Sequence, residues 1–201
     1  VPTRHADVLV HADEALERLI AGNRRFVEDR RRSRDGHGRR LALRDGQAPF
    51  AVVLTCSDSR VVPELIFDAA IGDLFVIRVA GNVAESHELG SIEYATVLLG
   101  TNLIVVMGHE SCGAITAAIE GESTDLHIDE LVEAIHPAVE VARTLPGDLL
   151  DNAIRVNARQ VADRLATSPV VLSTLVAERG LRVVPAVYHF ETGEVEWLDR
   201  D

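Results

Sequence analysis

Short apolar runs of strand length recur along this chain, each followed by a stretch with helical spacing. The runs are Phe50-Ala51-Val52-Val53-Leu54-Thr55, Leu74-Phe75-Val76-Ile77-Arg78-Val79, Asn102 to Met107 and Leu181 to Tyr188. They are unbroken rather than alternating, which marks strands covered on both faces. Between them, Val61 to Ala70 reads as a short helix begun near Pro63. Leu89 to Leu99 keeps helical spacing through Leu89, Ile92, Thr96 and Leu99. Cys112 to Glu120 and residues 128–143 and 149–166 are also helical, with Pro137 expected to interrupt the second of these. Gly81-Asn82 is expected to turn the chain, and Gly108 to stop the third strand. Such alternation predicts an α/β fold with helices on both faces of a mostly parallel sheet. Four strands are expected in the order 2-1-3-4, with a short antiparallel edge strand, Val195 to Leu198, after the Thr192-Gly193 turn.

Ahead of the sheet, residues 12–27 place Ala12, Ala15, Leu16, Leu19, Ile20, Asn23, Phe26 and Val27 on one helical face. The opposite face carries Glu14, Glu17, Arg18, Arg24 and Arg25, so the helix must lie on an apolar surface. Residues 30–46 are polar and read as loop. With neither a linker nor a repeat visible, residues 1–201 read as one domain, with 1–45 forming an N-terminal helical arm and an Arg-rich loop.

Charge narrows the function. All 20 basic residues are Arg, so a P-loop or a Schiff base, both of which need Lys, is excluded. The net charge of −12 argues against a general nucleic-acid binder. Residues 1–44 carry a net +4 and residues 45–201 a net −16. The cluster Arg30, Arg31, Arg32, Arg34, Arg39, Arg40 and Arg44 has no interleaved aromatics. It is expected to pair with the acidic remainder, of this chain or of a second subunit. No apolar run approaches the ~18 residues of a membrane span. The first 30 residues show no apolar core of a secretory signal.

Two segments stand at carboxyl ends of the predicted strands: Cys56-Ser57-Asp58-Ser59-Arg60 after the first, and Gly108-His109-Glu110-Ser111-Cys112-Gly113 after the third. In an open α/β sheet, the crevice where strand order reverses is where ligands bind. There the chain's only thiols, Cys56 and Cys112, would meet a His. Cys, Cys and His form a zinc ligand set that leaves a fourth position for water. Asp58 is close enough to bind a metal or to accept a proton from its water, and Arg60 could hold it ionised. The residues alone leave other readings open: buried apolar cysteines, a thiol redox pair, or a structural Asp–Arg salt bridge.

The stretches CSDSRVVPELIFD, GDLFVIRVAGNV, GSIEYATVLLG and IVVMGHESCGAI resemble the β-class carbonic anhydrases, in register from about Ala15 to the last strand. The resemblance implies one Zn2+ per chain on Cys56, His109 and Cys112, and a catalytic dyad of Asp58 and Arg60. It implies reversible hydration of CO2 to bicarbonate by a zinc-bound hydroxide, with Asp58 as fourth ligand in a closed state. Gln47, Phe75 and Tyr94 match the family's CO2 pocket, and Ala80 could add apolar wall. His87 is a candidate proton shuttle. A homodimer or dimer of dimers follows, with N-terminal helices embracing the neighbour, and with neither nucleic acid nor membrane as partner. Reduced thiols place the protein in the cytoplasm.

Two departures matter. Val79 replaces the Asn common in Arg-Asn-Ala-Gly-Asn. Val53 stands where a subset of the family has the Trp of a bicarbonate-inhibitory site, so that site is expected to be absent although Tyr188 resembles its Tyr. The related carbonyl sulfide and carbon disulfide hydrolases share the zinc ligands and are the alternative activity. A zinc-stabilised regulatory or binding protein is the alternative of another class.

Overall fold

In the computed structural model, residues 10–32, 36–121, 126–167 and 170–198 are described. Five strands form the sheet: β1 (Ala51–Thr55), β2 (Leu74–Arg78), β3 (Leu103–His109), β4 (Arg182–Tyr188) and β5 (Val195–Trp197). Their order is β2-β1-β3-β4-β5. The first four are parallel, and β5 runs antiparallel to β4. Every residue of β1 and β3 is buried, which accounts for their unbroken apolar sequences. Thr55 is level with both Arg78 and Met107, so the carboxyl ends of β1, β2 and β3 share one rim. The order reverses at β1, and the switch point opens on that rim.

Helix α1 (Ala12–Val27) buries Ala12, Ala15, Leu16, Leu19 and Asn23. Its stripe lies on this chain's own sheet, in one cluster with Val53, Phe67, Val105 and Met107. Three hydrogen bonds anchor Asn23: Nδ2 donates to the carbonyls of Ile66 and Gly193, and Oδ1 accepts from the Val195 N–H. The short helix α2 (Gly36–Ala42) falls within the expected loop. It buries no residue, so it left no apolar periodicity to read, and Arg39 ties it to the Ile71 carbonyl and to Asp73. Five arginines of the cluster pair with carboxylates of this chain, Arg30 with Glu28, Arg31 with Asp29, Arg32 with Asp68, Arg39 with Asp73 and Arg44 with Asp45, while Arg40 Nη2 lies 3.5 Å from His37 Nδ1. Arg34 lies outside the described residues.

The remaining helices are α3 (Pro63–Ile66), α4 (Ser86–Glu93), α5 (Gly113–Glu120), α6 (Ile128–Ala142), α7 (Leu149–Thr167) and α8 (Val170–Arg179), with a π turn over Tyr94–Leu98 after α4. The expected break at Pro137 does not occur, and α6 runs through it. Pro137 and Glu133, whose carbonyl loses its donor, both face water. The stripe of Val132, Ile135, Ala138, Val139 and Ala142 is buried on the other side and holds the helix together. Gly108 does not stop β3 either, which continues to His109. A Cβ at Gly108 would lie 3.1 Å from Ile154 Cγ2, so the glycine permits α7 to pack close to the strand. Helix α8, of which only Leu172 is buried, had no counterpart in the sequence reading. Among the described residues no helix is long and apolar enough to cross a membrane.

Removing the Asn23 amide strands a buried N–H and two carbonyls, each otherwise satisfied. Asn23→Ala is therefore expected to lower the unfolding free energy by roughly 1–3 kcal/mol. Chemical denaturation checks this, with exposed Glu17→Ala, expected to change stability by less than about 0.5 kcal/mol, as the reference.

Candidate metal centre

Three elements bring one donor each to the shared rim. Cys56 is the first residue past β1, His109 is the last residue of β3, and Cys112 immediately precedes α5. Their donor atoms lie within 4.8 Å of one another, and all three residues are buried. His109 Nδ1 lies 2.8 Å from the Glu110 carbonyl. A carbonyl only accepts, so Nδ1 carries the proton and Nε2 is left bare. That Nε2 is buried and has no hydrogen-bond partner among the described residues. A naked imidazole lone pair beside two sulfurs, in a dry interior, fits a thiolate-tolerant metal ion such as zinc.

The sulfurs are not equivalent. A hydrogen bond from the Cys112 thiol outweighs burial and holds Cys56 far below the usual thiol range, with the Gly81 N–H adding to the effect. The same contact, together with burial, pushes Cys112 up. The two sulfurs are close enough to hydrogen-bond to each other, and a metal ion seated between them would be bound by both. The Gly81 N–H lies 3.4 Å from Cys56 Sγ. Gly81 has φ +70°, and a Cβ there would fall 2.6 Å from Ile135 Cδ1. The buried Asn157 donates its Nδ2 to the Gly81 carbonyl at 2.8 Å and fixes this turn.

Asp58 faces the cluster from the loop after β1, with Oδ2 3.9 Å from His109 Nε2. It is turned towards Arg60. Oδ1 accepts the Arg60 backbone N–H at 2.9 Å and Nε at 3.0 Å, and Oδ2 accepts Nη2 at 2.8 Å. This bidentate pairing holds the Asp58 carboxyl far below its ordinary range. Arg78 clamps the same loop by donating to the carbonyls of Cys56 and Asp58 at 3.2 and 2.6 Å.

The structure thus brings together Cys56, Asp58, Arg60, His109 and Cys112, with Ala80 beside them in the turn Ala80–Asn82. Gln47 is exposed and precedes the amino end of β1, whereas Cys56 follows its carboxyl end. Phe75 is level with Val52, near the same end, and its ring lies 6.2 Å from that of Tyr94. His87 is exposed on the first turn of α4. Val53 is fully buried in β1.

Other residues at the site carried no signal in the sequence. Glu110 accepts the Phe190 N–H at 2.6 Å, and His189 Nδ1 lies 2.8 Å from it. His189 Nε2 lies 3.0 Å from Glu196, which is also paired at 2.6 Å with Arg155. The position of the β4–β5 turn, at the carboxyl end of the strand beside β3, is the clue that could have drawn attention to them.

Fold and donor set together define an α/β protein with a Cys-His-Cys cluster that could hold a metal ion. Residues 51–195 match the family described as carbonic anhydrase. The chain is 36% identical over 190 residues to carbonic anhydrase 2 of Mycobacterium tuberculosis, covering 92% of each. It is 37% identical over 195 residues to the carbonic anhydrase of Pseudomonas aeruginosa, covering 90% of this chain and 86% of that one. Among solved structures, the β-carbonic anhydrase CcaA superposes with a TM-score of 0.70 at 34% identity, over 92% of this chain and 95% of the other. A tetrameric β-carbonic anhydrase of Sordaria macrospora superposes with a TM-score of 0.73 at 25% identity, over 79% and 85%. The chain belongs to the β-carbonic anhydrase family of enzymes.

The His189 network predicts a pH-dependent stability. Burial disfavours the His189 cation, but hydrogen bonds to Glu110 and Glu196 outweigh it and raise its pKa above the ordinary 6.5. His189 hydrogen-bonded to Glu110, and Arg155 to Glu196, lower those carboxyls below 4.5. A raised histidine contributes fully below 6.5 and loses its contribution as pH rises through its folded value. The lowered carboxylates contribute above 4.5 and lose theirs as pH falls. His189→Gln is therefore expected to cost more stability at about pH 6 than at about pH 9 in paired urea titrations. An equal cost at both would show that the histidine is not charged in the fold.

Proposed function

We propose that the protein catalyses reversible hydration of CO2 to bicarbonate and a proton, with one zinc ion per chain on Cys56, His109 and Cys112. The observation that carries this reading is the bare, buried His109 Nε2 between two thiols, with an Asp carboxylate nearby that is bound to an Arg. Zinc, when bound, supplies a Lewis acid that brings the ionisation of a water into the neutral range. Zinc takes four donors and these residues give three; Asp58 is the nearest further group, and Arg60 holds it away.

The chain's own contribution is orientation. Both Asp58 oxygens accept from Arg60, and Oδ2, which takes only one of those bonds, keeps a lone pair for the cluster side. An oxygen nucleophile seated there must donate its proton to Oδ2. Its remaining lone pair then turns towards the substrate. CO2 is apolar and needs an apolar slot, for which Ala80, Phe75 and Tyr94 are the proposed walls, with Gln47 polarising an oxygen. Gln47 precedes the amino end of β1 and Phe75 is level with Val52, whereas the ligands lie at the carboxyl end, which supports a pocket completed across a homodimer, or a dimer of dimers. The solved relative that is tetrameric supports the same reading. Thiols that must stay reduced to hold zinc favour the cytoplasm.

Metal content and rate test this. Wild-type protein should carry one zinc per chain, and Cys56→Ala, His109→Ala and Cys112→Ala should each lose it. Asp58→Ala should retain zinc and lose about 100-fold or more in CO2 hydration rate. An Asp58→Ala enzyme turning over at the wild-type rate would remove the dyad from the mechanism.

A further inference from the structure

The Asp58–Arg60 pair poses a physical problem. The Arg60 side chain is 54% exposed, and an ion pair so open to water contributes little by itself. Yet on the proposed function this pair must keep Asp58 turned from the ligands, although Asp58 Oδ2 lies only 3.9 Å from His109 Nε2. Two hydrogen bonds along one edge of the guanidinium fix its in-plane direction towards Asp58. They leave its flat faces unsupported. One of those faces is covered: Arg60 Cζ lies 4.2 Å from the centroid of the Phe190 ring.

Phe190 is itself held from several sides. Its N–H is bound by Glu110, the residue next to ligand His109. Its ring packs edge-on against Tyr188, with centroids 5.4 Å apart and planes at 85°. It also touches the His109 ring, with centroids 5.4 Å apart. The ring thus stands between the ligand imidazole and the guanidinium, with Tyr188 of β4 against its edge and Glu110 holding its backbone. Its two chemical faces suit the place: an aromatic ring attracts a guanidinium over its face and excludes water from the histidine.

We propose that Phe190 is a positioning residue of the reaction: its ring, stacked under the Arg60 guanidinium, keeps Arg60 on Asp58 and so keeps Asp58 off the ligand cluster. The inference rests on the dyad reading above, but it concerns the orientation of Arg60, which can be observed whether or not CO2 is the substrate. Glu110 serves it indirectly, by fixing the turn that presents the ring. The sequence motif Cys-x-Asp-x-Arg contains no trace of this third partner, which comes from the β4–β5 turn.

The test uses protein purified with its metal, and a series at position 190: Phe190→Tyr, Phe190→Leu and Phe190→Ala. Leucine fills much of the volume but has no π face; tyrosine keeps the face. The main readout is the Arg60 Nε–H signal in nitrogen-edited NMR, together with zinc content and CO2 hydration rate. In the wild type this proton should be shifted upfield by the ring and protected from exchange with water. In the Leu and Ala variants the upfield shift should vanish, and exchange should quicken about two- to fivefold, the weight of one exposed cation–π contact. Hydration rate should fall in the same order while zinc stays at one per chain, and Tyr should restore both signal and rate. Leu and Ala variants with slowed turnover but an unchanged Arg60 signal would overturn the proposal, because Phe190 would then act by packing alone. So would a Leu variant equal to wild type in signal and rate. If the Arg60 signal responds as expected but even the wild type does not hydrate CO2, the activity assignment fails and the brace on Arg60 stands.

Discussion

The site depends on a histidine that has spent its only proton. His109 sits at the end of a fully buried strand and donates Nδ1–H to the carbonyl of the next residue. That bond fixes the tautomer and aims a bare nitrogen into a place that water does not reach. Leaving such a lone pair unsatisfied costs the fold free energy, and a protein keeps it only where something else will use it. Two sulfurs stand at the same point because β1 ends and α5 begins on the same rim. The parallel sheet is what makes this possible: it stacks the carboxyl ends of β1 and β3, and the turn Ala80–Asn82 then closes over Cys56.

Around this dry centre the polar groups are arranged in layers. Arg78 and the Gly81 N–H hold the loop that carries Cys56 and Asp58. Arg60 holds the Asp58 carboxylate, and Phe190 lies under Arg60. Glu110 joins the loop after β3 to the β4–β5 turn through a backbone bond and a histidine. Each layer restrains a group that would be loose alone: a salt bridge in water is weak, and a glycine turn is flexible. The outermost layer is the least buried, so it is where the arrangement is most open to change by mutation.

The sheet was legible because its central strands β1 and β3 are buried throughout and therefore read as continuous apolar runs. The amphipathic α1 was legible to its termini for the corresponding reason, an apolar stripe at helical spacing. What escaped was structure without an apolar signature. Helix α2 buries nothing, and α8 buries only Leu172. Pro137 read as a break because a propensity argument does not see that Glu133, whose carbonyl is left without a donor, faces water. At the site, the Cys-x-Asp-x-Arg and His-x-x-Cys spacings were visible because each lies within one loop. Phe190 and Glu110 are 80 residues apart, and a phenylalanine in a hairpin looks like any other. Gly81 was legible as a turn but not as a donor to a sulfur, because a backbone N–H has no letter in the sequence. Gln47 and Phe75 were matched by position in the chain, which says nothing about which copy's site they face.

Stopped-flow CO2 hydration by metal-quantified protein, from about pH 6.5 to about pH 9, tests the central claim most directly. With Asp58 held on Arg60, the account predicts fast turnover already at neutral pH, rising through a single ionisation. Turnover confined to pH values above about 8 would contradict it, placing Asp58 among the metal ligands at neutral pH instead of on Arg60.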